Sequence, residues 1–253
     1  MSVAPTALAL ETQGSGPELL FLPGMDGLLL CRPFLEALSS SFRVTVPKLP
    51  GWAGTPREPK YRTVDDLSYA VLDVLDGFDT PVAVVGASFG AWLASEAASK
   101  NTSMISALAL VAPVGVREAD PTVRSYLDIY ASSAEAVRTA MYGKSTPPPD
   151  LSQLSDAQFL DLARAQEAVA YYAWEPYMHN RSLLHRLHRV RVPTVLIAGD
   201  EDGFACREDH LALYQAELPH LIETTVLPGV GHRVEEQEPA ELAKVITDFV
   251  ASV

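Results

Sequence analysis

The chain has 253 residues, 48% of them hydrophobic and 20% charged, with a formal net charge of −13. That length fits one large α/β domain better than two small ones, and the apolar share is enough to bury a sizeable core. An acidic balance with no dense Lys/Arg cluster repels phosphate backbones, which excludes nucleic acid as an expected partner.

In chain order, the segment from Met1 to Leu10 lacks the basic stretch and apolar run of a signal peptide. No window approaches the ~20 apolar residues that would span a bilayer, so a cytoplasmic protein without a membrane partner is expected. Residues 19–22, Leu-Leu-Phe-Leu, predict a buried strand ended by Pro23-Gly24, and 43–46 predict a second. Cys31 and Cys206 are too sparse for a disulfide framework or a metal site. From Val64 to Leu75 a stripe of Val64, Leu67, Val71, Leu72 and Leu75 predicts a helix, with Thr63 as its N-cap before Asp65 and Asp66.

Residues 81–85 predict the third strand, followed by an Ala-rich helix over 88–99; residues 107–111 predict the fourth. From Val114 to Arg191 no strand is evident, while Pro147-Pro148-Pro149 and scattered helical patterns appear. A structureless loop of that length does not suit a compact domain, so 114–191 is expected to be an inserted helical subdomain. Its basic end, Arg181 to Arg191, reads as a solvated helix face. Strands over 194–198 and 221–227 and a helix over 240–250 complete the chain. Runs apolar on both faces, alternating with helices, predict a doubly wound, mostly parallel sheet formed by 1–113 and 192–253.

The pentapeptide Gly86-Ala87-Ser88-Phe89-Gly90 follows a strand directly and opens a helix. A tight turn in that place lifts the Ser88 hydroxyl clear of the sheet, and the helix N-terminus beneath it favours developing negative charge. A serine hydroxyl needs a base to take its proton. His232, in Pro228-Gly229-Val230-Gly231-His232, lies on the loop after the last strand, at the sheet edge that carries Ser88. The other five histidines lie on or beside predicted helices. The base in turn needs a carboxylate, and Gly199-Asp200-Glu201-Asp202 offers three at the same edge. Spacing does not choose among them. Backbone N–H groups of Phe89 and of Met25, in the loop after the first strand, are the expected oxyanion donors.

These pieces together resemble the α/β-hydrolase superfamily over nearly the whole chain. The matching stretches are Phe21-Leu22-Pro23-Gly24, Leu49-Pro50-Gly51-Trp52-Ala53-Gly54, the Ser88 turn, Val192 through Asp202, and Gly231-His232. The resemblance implies the α/β-hydrolase fold, and an acid three residues after the glycine that ends its strand. That selects Asp202, with Asp200 as fallback. The insert resembles the family's helical cap, which roofs the pocket. Two residues depart from the family pattern: Pro23 stands where many relatives have His, and Lys48 where Asp is common.

The chemistry expected is hydrolysis of a small carboxylic ester through an acyl-enzyme on Ser88, His232 and Asp202, with no metal or organic cofactor. Carbon–carbon hydrolysis, lactone or thioester cleavage use the same triad, and a ligand-sensing receptor on this fold is the non-enzymatic alternative. The expected partner is a small molecule with an apolar portion. Trp52, Trp174 and Tyr171, with Met25, Trp92 and Tyr172, are candidates to line its pocket.

Overall fold

A computed structural model describes residues 8–118, 120, 122–205 and 207–253 of the protein. All six predicted runs form strands: β2 (Glu18–Leu22), β3 (Arg43–Pro47), β4 (Val82–Ala87), β5 (Ile105–Val111), β6 (Thr194–Gly199) and β7 (Leu221–Leu227). A further strand, β1 (Leu10–Gln13), was not foreseen. The sheet runs in the order β1-β3-β2-β4-β5-β6-β7, parallel throughout except for β1, which pairs antiparallel with β3. This is the α/β-hydrolase architecture that the sequence predicts.

Alternation along the strands divides the core in two. Leu19 and Phe21 of β2 turn toward Phe34, Leu35 and Leu38 of α1 (Arg32–Ser39) and toward Leu242 and Ile246 of α8 (Pro239–Ser252). Leu20 and Leu22 turn the other way, onto Leu67 and Val71 of α2 (Val64–Leu75) and Leu93 of α3 (Phe89–Lys100). A parallel sheet needs both faces covered, and each Leu or Phe buried this fully contributes ~1.5–3 kcal/mol. Helix α2 begins as predicted: the Asp66 N–H donates to Thr63 Oγ1 at 3.1 Å, while the Thr63 N–H donates back to Asp66 Oδ2 at 3.0 Å. Outside the segment between β5 and β6, α6 (Arg207–Glu217) and the single-turn α7 (Val234–Gln237) follow.

Between β5 and β6 the chain forms α4 (Ala134–Tyr142), α5 (Asp156–Ala173) and two 3₁₀ turns, Leu151–Gln153 and Leu184–Arg189. This insert lies over the C-terminal edge of the sheet. The Tyr172 hydroxyl donates to the Pro50 carbonyl at 3.1 Å, and the Gly203 N–H donates to the Ala140 carbonyl at 3.1 Å. Its basic end is largely solvent-exposed, as expected, with Arg181, His185, His188, Arg189 and Arg191 at the surface, but it also makes specific contacts. Arg186 donates to Asp65 at 2.9 Å and Arg189 to the Ser99 carbonyl at 2.8 Å, so both arginines fasten the end of the insert to α2 and α3.

The same corner holds a buried carboxylate. Glu96 of α3 accepts from Trp92 Nε1 at 3.2 Å, from Asn180 Nδ2 at 2.7 Å and from Lys100 at 3.3 Å. Burial pushes its pKa up, and Lys100 works against that shift. Among the described residues no helix is long and apolar enough to cross a membrane.

Candidate active site

The turn from β4 into α3 is strained at one residue. Ser88 has φ 49° and ψ −112°, a conformation that residues with a Cβ rarely adopt. Its N–H donates to the Val111 carbonyl at 2.8 Å, which pins the turn to the end of β5. A side chain at Gly90 would overlap the Leu22 carbonyl, and one at Gly86 would strike the Gly90 carbonyl. The two glycines thus let β2, β4 and α3 close around the serine.

Ser88 Oγ lies 2.7 Å from His232 Nε2, and His232 Nδ1 lies 2.8 Å from Asp202 Oδ2. A carboxylate can only accept, so the ring proton sits on Nδ1, and Nε2 accepts from the serine hydroxyl. Asp202 is itself held by the N–H groups of Phe204 at 2.9 Å and Ala205 at 3.2 Å on Oδ1. The Phe204 ring stands edge-on to the imidazole at 4.8 Å and shields it. Ser88 and His232 are both fully buried.

The two neighbouring acids are occupied elsewhere. Asp200 accepts the Gly229 N–H at 2.6 Å, within the loop that leads to His232. Glu201 accepts from the Ser145 hydroxyl at 2.7 Å and the Lys144 N–H at 2.5 Å, both in the insert just after α4. Only Asp202 of the three is hydrogen-bonded to the imidazole.

Phe89 is the first residue of α3, so its N–H is one of those that helix geometry leaves without an intrahelical partner. Met25 sits on the Gly24–Gly27 turn, closed by the Gly27 N–H to the Gly24 carbonyl at 3.1 Å. Trp52 Nε1 donates to the Met25 carbonyl at 3.1 Å, which fixes that peptide from behind. The Trp52 ring is stacked on Tyr172 at 5.8 Å and tilted against Phe89 at 5.3 Å. Trp52 therefore joins both expected oxyanion residues to α5.

A cavity of about 530 Å³ opens between the Met25 turn and the insert, lined by Met25, Leu30, Ile129, Met141, Leu162 and Val169 among others. Trp52 lines a smaller one, about 290 Å³, on the other side of the turn. Tyr171 and Trp174, expected to line the pocket, stand instead at the surface, 41% and 54% exposed. Tyr171 lies under Arg57, and Trp174 packs on Tyr130 and Tyr177. Each step along a helix turns the side chain by about 100°, so Leu162 and Val169 face inward while Tyr171 does not.

Sequence reasoning missed a buried polar knot beside the histidine. Arg233 Nη2 contacts Asp26 Oδ2 at 2.5 Å and Arg233 Nη1 lies 3.6 Å from Glu236 Oε1. The Tyr142 hydroxyl donates to Glu236 Oε2 at 2.8 Å. The only signal in the sequence was adjacency, since Arg233 follows His232 and Asp26 follows Met25.

The chain matches the Alpha/beta hydrolase family over residues 19–245. Among curated proteins it is 28% identical, over 199 residues, to the poly(3-hydroxyalkanoate) depolymerase of Ectopseudomonas oleovorans, covering 74% of this chain and 68% of that protein. It is 24% identical over 267 residues to the mouse (Mus musculus) monoacylglycerol lipase ABHD6, covering 95% of this chain and 77% of the lipase. Among solved structures the carboxylesterase CesB of Bacillus subtilis superposes with a TM-score of 0.74 at 16% identity, covering 96% of this chain and 87% of that one. A match that spans β2 to α8, on a sheet of this order with the serine turn after β4, leaves one assignment: the chain belongs to the alpha/beta hydrolase family.

Proposed function

We propose that this hydrolase is a serine esterase acting on small carboxylic esters with an apolar acyl portion, and that 114–191 serve as its cap. The observation that carries the reading is the hydrogen-bonded line from Ser88 Oγ to His232 Nε2 and from Nδ1 to Asp202, at 2.7 and 2.8 Å. Ser88 Oγ attacks the ester carbonyl as its proton passes to Nε2. The Met25 and Phe89 N–H groups hold the oxygen that becomes negative. Collapse of the tetrahedral intermediate expels the alcohol, which takes the proton from His232. Water then repeats the sequence against the acyl-enzyme, with His232 again as base, and the acid leaves.

The cavity of about 530 Å³ beside Met25 is of a size that takes small ligands, and its apolar wall of Leu30, Ile129, Met141, Leu162 and Val169 is assigned to the acyl chain. The names of the two curated relatives, a polyester depolymerase and a monoacylglycerol lipase, fit that choice. A series of p-nitrophenyl esters from acetate to decanoate tests it. Each CH₂ that enters the cavity raises kcat/KM by roughly fourfold until the cavity is full. Ser88→Ala removes turnover by ~10⁶-fold in kcat. A profile flat with chain length would take the acyl chain out of this cavity. Undiminished turnover by Ser88→Ala would take Ser88 out of the mechanism.

A further inference from the structure

The knot around Arg233 connects three segments: the loop of the base, the Met25 turn and the end of α4. Arg233 follows the base, His232, in the chain. Asp26 follows Met25, the oxyanion donor proposed above. Tyr142 ends α4 of the insert. Arg233 is buried, its side chain 7% exposed, and Asp26 and Glu236 are partly buried, their side chains 11% and 7% exposed. Two bonds to backbone carbonyls run in parallel with them, from the Arg233 N–H to Met141 at 3.0 Å and from the Gln237 side-chain Nε2 to Tyr142 at 3.0 Å. Gly24 belongs to the same arrangement, since a Cβ there would stand 2.8 Å from Glu235 Oε1.

Stability does not account for such a cluster. One guanidinium faces three carboxylic acids, Asp26, Glu235 and Glu236, in the protein interior. Arg233 Nε and Glu235 Oε2 are buried without a hydrogen-bond partner among the described residues. A buried ionic group of this kind is outperformed by apolar packing where only stability matters, and its best-attested use is to fix a register. The register here is that of the Met25 turn against the His232 loop. Met25 is held at its carbonyl by Trp52 Nε1, and the next residue, Asp26, is held at its carboxylate by Arg233.

We propose that Arg233 is a positioning residue for ester hydrolysis, which through Asp26 sets the Met25 N–H at the height of the oxyanion formed on Ser88. The proposal rests on the esterase reading and adds a residue that does not touch the nucleophile; Arg233 and Asp26 also border the cavity assigned to the acyl chain. Loss of the Arg233–Asp26 link lets the turn shift, so the transition state loses a donor, a loss beyond any change in ground-state binding in the acyl cavity.

The test uses the full chain with Arg233→Met, Arg233→Lys and Asp26→Asn, each measured on one p-nitrophenyl ester and on a boronic acid that mimics the tetrahedral oxyanion. For Arg233→Met, kcat falls by roughly 10²–10³-fold, as when one oxyanion donor is removed, and by far more than KM rises. Boronate affinity weakens by the same factor. Arg233→Lys, which keeps a cation near Asp26, recovers part of both losses. Asp26→Asn keeps the shape and an acceptor, and it carries the test should Arg233→Met fail to fold, as judged by circular dichroism and melting. Wild-type kcat and boronate affinity in a folded Asp26→Asn or Arg233→Met protein would overturn the proposal. So would a loss in kcat with boronate binding unchanged. Ser88→Ala in the same assay separates this from failure of the esterase reading, which would show as retained turnover.

Discussion

Ser88 stands in a backbone conformation that costs a residue with a Cβ on the order of 1–3 kcal/mol, and glycine very little. Ser88→Gly is therefore predicted to stabilise the fold by about 1 kcal/mol while removing turnover, and Ser88→Ala to remove turnover without that gain. Urea titration of the two variants checks this; a Ser88→Gly protein less stable than the parent would contradict the strain assigned to the turn. A second residue-scale prediction concerns protons. Burial pushes Glu236 from 4.5 up to about 7, with Arg233 opposing the shift and Glu235 and Asp26 adding repulsion. The folded chain holds a proton that the unfolded chain releases between those values, so this residue makes stability fall as pH rises from 4.5 to 7. The difference is on the order of 3 kcal/mol. His210 acts in the opposite sense. Burial pushes it from 6.5 down to about 4, and its contribution is lost as pH falls through that range. Glu236→Gln removes the slope that Glu236 contributes and leaves that of His210 in place. Its stability relative to the parent, from urea midpoints, is predicted to rise between about pH 5 and about pH 8; an unchanged difference would contradict the assignment.

At the scale of elements, the junction of α3 with the insert depends on one carboxylate. Glu96→Ala deprives Trp92, Asn180 and Lys100 of a shared buried acceptor, and a loss of ~3 kcal/mol is expected, since breaking a buried pair exposes its partner's desolvation cost. Glu96→Gln, which still accepts from Trp92 and Asn180, is expected to lose less; equal losses for the two in denaturant titrations would contradict this. What the sequence revealed follows the same scale. Strands apolar on both faces, such as Leu19 to Leu22, were plain because burial on two sides leaves an unbroken run. Strand β1, Leu-Glu-Thr-Gln, escaped notice because it is an edge strand with alternating burial and one apolar residue in four. Helix α1 escaped because its N-cap is Cys31, which makes no side-chain cap hydrogen bond. The pocket-facing side of α5 was not legible because periodicity finds a stripe and cannot say which neighbour it meets. Tyr171 and Trp174 were chosen for residue type, and the helix turned them outward. Arg233 lay unnoticed because a buried arginine is indistinguishable in sequence from a solvated one.

On the scale of the whole molecule, Ser88, His232 and Asp202 come from loops after β4, β7 and β6, and the parallel sheet brings them to one edge although 144 residues separate the serine from the histidine. The insert lies over that edge, where Ser88 and His232 are fully buried. The central claim, that an acyl group is transferred to Ser88, is tested most directly by quenching the enzyme with acid during turnover of p-nitrophenyl octanoate and mapping the adduct by mass spectrometry. The account predicts an initial burst of nitrophenol and an octanoyl group on the peptide that contains Ser88, both absent in Ser88→Ala. Octanoylation at another residue, or turnover that persists in Ser88→Ala, would contradict it.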